Sequence, residues 1–128
     1  MTHQAVSTSG APAAIGPYSQ GIATPDLVFC SGQLGLDPLT GELAMGVEAQ
    51  ADRALRNLAA VLDAAGCAFA DVVKTTIYLA DIADFGAVNG VYGRFMPDPP
   101  PARSTFAVGA LPKSGLVEID AIALRHPR

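Results

Sequence analysis

The chain has 128 residues, of which 50% are hydrophobic and only 16% are charged, and its formal net charge is −4. We expect one globular domain over residues 1–128, and the acidic balance without any basic run argues against nucleic-acid binding. No apolar stretch is long enough to span a bilayer and the N-terminal segment lacks the features of a signal peptide, so we expect a cytoplasmic protein with no membrane partner.

Two short strands and a helix are predicted in the first half of the chain. Residues 19–24 and 27–31 have the pattern of β-strands joined by a proline-containing turn. The segment 37–42 combines an early proline with a late glycine, which is typical of a tight turn. From about residue 46 to 65 the apolar residues recur with a helical period, and Gly66 is positioned to end that helix.

The second half of the chain alternates between strand and helix patterns. Residues 72–79 are rich in β-branched and aromatic residues and predict a central strand. The pattern over 81–96 predicts a second helix, capped by its first aspartate. The proline-rich segment 97–101 must be an extended connector. Two final strands are predicted near 103–108 and 116–124.

This order of elements predicts an α+β protein whose two helices cover one face of a single sheet. In the last strand, however, both alternating sets of side chains are apolar. One set is Leu116, Ile122 and Leu124, and the other is Val117, Ile119, Ala121 and Ala123. The face without helices therefore needs a cover, and we expect an obligate oligomer.

Two charged residues, Arg103 and Glu118, interrupt strands that are otherwise apolar. An unpaired guanidinium is costly to bury, so Arg103 needs an anionic partner. A buried structural ion pair with Glu118 is the usual outcome for such residues. The alternative is a bound carboxylate, which matches the two-pronged guanidinium.

The cysteine and histidine residues do not have the spacing of metal ligands. Cys30 and Cys67 are far apart, and His3 and His126 lie at opposite ends of the chain, where mobile termini are expected. Two reduced, partly buried thiols are therefore expected, and no metal is predicted.

Six segments carry a resemblance that covers nearly the whole chain. They are residues 13–21, 31–33, 74–76, 101–104, 111–113 and 118–123. In this order and spacing they resemble the RidA/YjgF family. The resemblance implies a chorismate-mutase-like α+β fold, in which a mixed β-sheet carries two helices on one face and a homotrimer forms around the other. It also implies active sites in clefts between subunits.

The same resemblance implies an enamine/imine deaminase that hydrolyses 2-aminoacrylate and related 2-imino acids to 2-keto acids and ammonia. In this interpretation Arg103 holds the substrate carboxylate and Glu118 orients water and relays a proton. No metal and no cofactor are required, because the iminium is already reactive. Asp120 lies on the same side of the strand as Glu118 and is the carboxylate to compare with it.

Further substrate-binding residues implied by the resemblance are Tyr18, Ser31, Gly32, Asn89 and Thr105. Three of them have a structural alternative: Tyr18 can close the core, Ser31 can form a turn, and Asn89, four residues after Phe85 and near the inward helix face, can hold a loop. Many relatives have cysteine where this chain has Thr105. Thiol-dependent behaviour is therefore not expected, and a pathway-specific relative stays open.

Two other functions stay open from the sequence. A non-catalytic trimer that binds keto acids would use Arg103 but would not need Glu118. An endoribonuclease, described for some relatives, is disfavoured by the acidic charge and by the lack of a basic surface with aromatic residues.

Overall fold

The computed structural model describes residues 2–126 and contains six strands, two α-helices and three short 3₁₀ turns in that range. The strands are β1 (Gln4–Val6), β2 (Gly21–Ala23), β3 (Leu27–Leu34), β4 (Val72–Leu79), β5 (Ala102–Ala107) and β6 (Val117–Leu124). The helices are α1 (Val47–Ala64) and α2 (Phe85–Phe95), and the 3₁₀ turns are Phe69–Asp71, Ile82–Asp84 and Pro112–Ser114. Within the described range, neither helix has the length and apolar character needed to cross a membrane.

All six strands form one mixed sheet in the order β1-β2-β3-β6-β4-β5. Every neighbouring pair is antiparallel except β4 and β5, which are parallel. A parallel pair cannot be joined by a tight turn, and α2 supplies the crossover between these two strands. The last strand in sequence, β6, therefore lies in the middle of the sheet, and β5 lies at one edge.

The helix α1 packs on the central strands β3 and β6 and against α2. Its apolar stripe is buried, as the helical period predicts, and Gly66 follows the helix with a φ of 78° that suits glycine. The fully buried α1 side chains include Leu55, Leu58, Val61 and Leu62. They form the core together with the helix-side residues of β6.

The opposite face of the sheet carries no helix in the described part of the chain. On β6, Val117, Ile119, Ala121 and Ala123 face the helices and are at most 1% exposed. On the other face, which we call the open face, Phe29 is 41% exposed, Phe106 45% and Leu124 53%. The predicted α+β class, with two helices on one face of a mixed sheet, is confirmed.

Three details differ from the prediction. The short strand β1 was not expected, because three residues give too little alternation to recognise. The first turn of the predicted second helix is the 3₁₀ turn Ile82–Asp84, capped by Asp81, whose Oδ1 accepts from the N–H of Ala83 at 2.9 Å. The strand β3 continues to Leu34, past an irregularity in its pairing with β6 between Cys30 and Gln33.

Candidate active site

Arg103 projects from the edge strand β5 toward the helices. It lies opposite Thr75, which is fully buried on the helix side of β4. Its guanidinium carbon lies 5.0 Å from the centroid of the Tyr92 ring and 5.5 Å from that of Phe85. The Tyr92 hydroxyl is in turn hydrogen-bonded to Thr75 Oγ1 at 2.6 Å. The guanidinium thus lies over two aromatic rings, at distances typical of cation–π interactions.

The N–H groups of Arg103 are left available by this arrangement. Among residues 2–126 the side chain has no hydrogen bond and no ion pair, although it is half-buried. Beside it lies a shallow hollow of about 450 Å³, lined also by Asn89, Tyr92 and Pro101. A cation stacked on rings and lacking a carboxylate is suited to bind a planar anion that enters the hollow.

Asn89 and Thr105 lie near Arg103 in different ways. Asn89 is exposed at the rim of the hollow, so its predicted position near the inward helix face is wrong. Thr105 lies two residues along β5, opposite the buried Ile77, and therefore points to the same side as Arg103. Its Oγ1 is buried without a hydrogen-bond partner in the described chain. We call Asn89, Arg103 and Thr105 the arginine half-site.

Glu118 lies on the open face, in the middle of the sheet. It is opposite Tyr78 on β4 and Leu34 on β3. The carboxyl is half-buried and accepts no hydrogen bond from any residue in the range 2–126. Burial raises its pKa, and the negative charge of Asp120 raises it further. A carboxyl with a raised pKa holds its proton to a higher pH than an exposed glutamate does, which suits it to take up and return a proton.

Glu118 forms part of the wall of a cleft of about 760 Å³ together with Tyr18, Ser31 and Gly32. Gly32 is required there for space. A Cβ at this position would lie 2.8 Å from Cδ and 3.0 Å from Cγ of Glu118, and closer still to Oε2. The Glu118 carboxylate therefore occupies space that a side chain at position 32 would fill.

Tyr18 and Ser31 also line this cleft. Tyr18 is 53% exposed, so the alternative in which it closes the core is wrong. The Ser31 hydroxyl donates to the Ser19 carbonyl at 2.6 Å, and the Ser31 N–H donates to the Gln20 carbonyl at 3.0 Å. Ser31 thus fixes the segment that carries Tyr18, while its oxygen can still accept a bond from the cleft. We call Tyr18, Ser31, Gly32 and Glu118 the glutamate half-site.

The two half-sites lie on opposite faces of the sheet. Arg103 is on the helix side of β5, whereas Glu118 is on the open face of β6, and β4 lies between the two strands. The alternative of a buried ion pair between Arg103 and Glu118 is therefore wrong within one chain. Among residues 2–126, neither charge has an ion pair with an opposite charge.

Asp120, two residues from Glu118 on the same side of β6, is fully engaged. Its Oδ2 accepts from the Tyr78 hydroxyl at 2.8 Å, and its Oδ1 accepts from the Thr76 N–H at 3.1 Å. The two neighbouring carboxylates thus have different environments, since Asp120 has two donors and Glu118 has none in the described chain.

Three buried amides that shape the cleft were missed by the reasoning from sequence. Gln20 binds the segment 8–12 through four hydrogen bonds, and Gln50 accepts from the Leu116 N–H at 2.8 Å. Asn57, which is fully buried, donates to the carbonyls of Leu34 and Leu36 at 3.1 and 2.8 Å. Gln50 and Asn57 are seven residues apart and therefore lie on one face of the helix. Polar residues that recur at this interval beside an apolar stripe are the feature of the sequence that could have indicated buried amides.

Metal-ligating residues do not cluster in the part of the chain that the structure describes. His126 is paired with Asp71, with 2.7 Å between Nε2 and Oδ1, so this histidine is not a loose terminal residue.

Comparison with known proteins identifies close relatives along the full chain. The family model described as Endoribonuclease L-PSP matches residues 8–125. A goat (Capra hircus) protein named 2-iminobutanoate/2-iminopropanoate deaminase is 50% identical over 99% of this chain and 93% of its own. The crystal structure of the YjgF gene product from E. coli has a TM-score of 0.91 at 42% identity, covering 96% of this chain and 99% of that one. E. coli TdcF with bound serine has the same TM-score at 41% identity and the same coverage of both chains.

Proposed function

Because the chain belongs to the Endoribonuclease L-PSP family, the RidA/YjgF family, we propose that it hydrolyses reactive 2-imino acids at a site completed by two copies of the chain. The products are 2-keto acids and ammonia. This is the activity named for relatives that are half identical over nearly the whole chain. The chain is thus an enamine/imine deaminase, and the substrates meant are 2-aminoacrylate and 2-iminopropanoate or similar compounds.

One observation supports the assignment of residues more than any other. Arg103 and Glu118 both lack an opposite charge within residues 2–126 and lie on opposite faces of the same sheet. A single chain cannot bring them to one small substrate. A second copy that docks on the open face with its β5 edge would bring its Arg103 to the Glu118 cleft of the first.

The open face supplies the driving force for such docking. Phe29, Phe106 and Leu124 are each more than two-fifths exposed there, which is unfavourable in an isolated chain. Covering them with a copy of the same chain by a cyclic operation repeats the same contact at every boundary. We propose a homotrimer, with three equivalent clefts that each combine an arginine half-site with the glutamate half-site of a neighbour.

The chemistry follows from the two charged groups. Arg103 binds the substrate carboxylate with two parallel N–H donors and so fixes the neighbouring C=N carbon in the cleft. Glu118 accepts a proton from a water molecule as the water oxygen bonds to that carbon. The same carboxyl then returns that proton to the amino nitrogen, and it takes the proton of the new hydroxyl group as the C–N bond breaks and the C=O bond forms. This second proton passes to the released ammonia, which leaves as ammonium. One water is consumed, and Glu118 ends in its starting state.

The remaining residues of the two half-sites bind the substrate and shape the cleft. Tyr18 borders the substrate at the cleft mouth, Ser31 offers an acceptor oxygen, and Gly32 leaves room for the carboxylate. Asn89 and Thr105 are placed beside the substrate end held by Arg103. A relative, E. coli TdcF, has been crystallised with serine, whose carboxylate and amino group resemble those of the imino acid.

RNA cleavage and passive binding receive less support. The net charge of −4 and the absence of a basic run disfavour a polyanion, and we propose no nucleic-acid partner. A passive keto-acid binder would have no use for a half-buried Glu118 with a raised pKa. We also propose a cytoplasmic location, where enzymes that release 2-imino acids operate.

Mixed oligomers test the shared site directly. Arg103→Ala and Glu118→Gln chains are each expected to be inactive toward 2-iminopropanoate generated in situ. Mixed in equal amounts, unfolded and refolded together, they should recover about one quarter of the wild-type activity, because that fraction of sites combines an intact Arg103 with an intact Glu118 of the neighbour.

Zero recovery from mixtures that form oligomers of normal size would overturn the shared site. Activity of the unmixed variants would instead overturn the roles of Arg103 and Glu118. The matched control is a refolded mixture of wild type with Gly86→Ala, a change on an exposed helix face where an added methyl group meets nothing within 4 Å.

A further inference from the structure

The carboxylate of Asp120 is fixed beside Glu118 by two donors from β4. The Tyr78 hydroxyl binds one oxygen at 2.8 Å and the Thr76 N–H binds the other at 3.1 Å. The Tyr78 ring is itself held edge-on by Phe106, with 5.4 Å between the ring centroids. Asp120 therefore cannot swing away from Glu118 without losing both hydrogen bonds.

The two hydrogen bonds of Asp120 add to a direct pairing between the strands β4 and β6. That pairing runs from Val72 to Leu79, with an irregularity between Val72 and Lys74. A threonine or asparagine would keep an acceptor for one of these two donors without placing a negative charge on the open face. The charge itself therefore calls for an explanation. It raises the pKa of Glu118, two residues away on the same side of β6, as well as the pKa of Tyr78 and of Cys30.

We propose that Asp120 is a positioning residue of the deamination, whose fixed negative charge helps Glu118 to hold the proton that it takes from water until that proton passes to the departing ammonia. This inference rests on the proposed function of Glu118. Electrostatics support it, since two like charges on one side of a strand disfavour double ionisation. Burial is the first cause of the raised pKa of Glu118 and the charge of Asp120 is the second.

Other charged and titratable groups also surround Glu118. On β4 they are Tyr78, directly opposite, and Lys74, nearer the start of the strand; in the cleft they are Tyr18, Asp37 and Lys113. In the proposed assembly the Arg103 of a neighbouring copy also lies near Glu118. Its positive charge opposes the effect that Asp120 has on Glu118. The expected effect of Asp120 is therefore a shift of the pH profile and not an abolition of activity.

The test compares pH profiles of kcat and kcat/KM for 2-iminopropanoate in intact oligomers. Asp120→Asn removes the charge and retains an acceptor for Tyr78 or Thr76. The limb governed by Glu118 should therefore move to lower pH in the kcat profile and in the kcat/KM profile. Asp120→Glu keeps the charge and should retain the wild-type profile. Tyr78→Phe removes one anchor and keeps the charge, so it should lower stability without moving the profile in the direction of Asp120→Asn.

Two results would overturn the inference: an Asp120→Asn profile that superimposes on wild type, or an equal shift in Tyr78→Phe, which would indicate a purely structural role. Asp120→Ser removes the charge while keeping a hydroxyl, and it gives the same comparison if the asparagine variant does not assemble. Glu118→Gln separates this inference from the proposed function. An active Glu118→Gln enzyme contradicts the proposed function, whereas an inactive one beside an unshifted Asp120→Asn contradicts only the role of Asp120.

Discussion

Replacing Gly32 with alanine tests whether the position of the Glu118 carboxylate, and with it the proposed role of Glu118, depends on the missing side chain at position 32. The new Cβ would lie 2.8 Å from Cδ of Glu118, whereas carbon atoms in ordinary contact are about 3.5–4.0 Å apart. The carboxyl must therefore move by about 0.7 Å or more. A displacement of about 1 Å in a reacting group costs roughly 10²-fold in rate, so we expect kcat to fall about 100-fold. The backbone at Gly32 is not in the left-handed region, so alanine itself is tolerated there.

The assay is the loss of 2-iminopropanoate, generated in situ by an amino-acid oxidase, at several substrate concentrations. Gly86→Ala is the matched control, because its methyl group points into open space and is expected to leave kcat unchanged. Folding and oligomer size are compared by circular dichroism and gel filtration. An unchanged size with a reduced kcat would locate the effect in the cleft.

A double-mutant cycle decides whether the effect passes through Glu118. In a Glu118→Gln background, where no proton transfer by residue 118 remains, adding Gly32→Ala should cause little further loss. A wild-type kcat for Gly32→Ala would refute the steric argument. An equal loss in both backgrounds would refute the dependence on Glu118.

Three other predictions follow from burial and charge. Asn57→Ala leaves the carbonyls of Leu34 and Leu36 without their donor. Denaturant unfolding should therefore show a free energy of unfolding that is lower by about 2–4 kcal/mol. An unchanged free energy of unfolding would mean that water replaces the amide. The pKa of Glu118 is raised above its ordinary value of 4.5, so its ionisation destabilises the folded chain as pH rises. Thermal unfolding should therefore show Glu118→Gln as more stable than wild type at neutral pH, with the gain absent below pH 4.5, and a gain independent of pH would contradict this. Burial raises the pKa of the Cys30 thiol to about 12, so iodoacetamide at pH 8 should modify it only after unfolding, and rapid labelling of native protein would contradict its burial.

The elements with long, regular patterns could be predicted from the sequence. The strand β4 has the predicted bounds, and α1 differs from its prediction by one residue at each end. Both have many residues that repeat one period, so the pattern is not obscured by local exceptions. By contrast, β1 has three residues, and its pairing with β2 depends on a contact that no local pattern encodes.

The placement of the candidate site residues could be predicted only in part. Glu118 and Asp120 share one side of β6, as strand alternation requires. Whether Arg103 and Glu118 lie on the same face of the sheet could not be derived from the sequence. The answer depends on the strand order, in which β4 lies between β5 and β6. Asn89 shows a different failure: its inward position was inferred from Phe85, which is itself 37% exposed.

The separation of the two charges within one chain has a chemical consequence. If Arg103 and Glu118 faced each other on one chain, the guanidinium would bind the carboxylate, and both would be lost to a substrate. In the structure the guanidinium lies over the rings of Tyr92 and Phe85 and has no hydrogen bond or ion pair within residues 2–126. Under the proposed assembly, the distance between the arginine and the carboxylate is fixed by docking of rigid sheets and not by side-chain rotamers. A substrate carboxylate can then become the first full partner of Arg103, while Glu118 stays available for water.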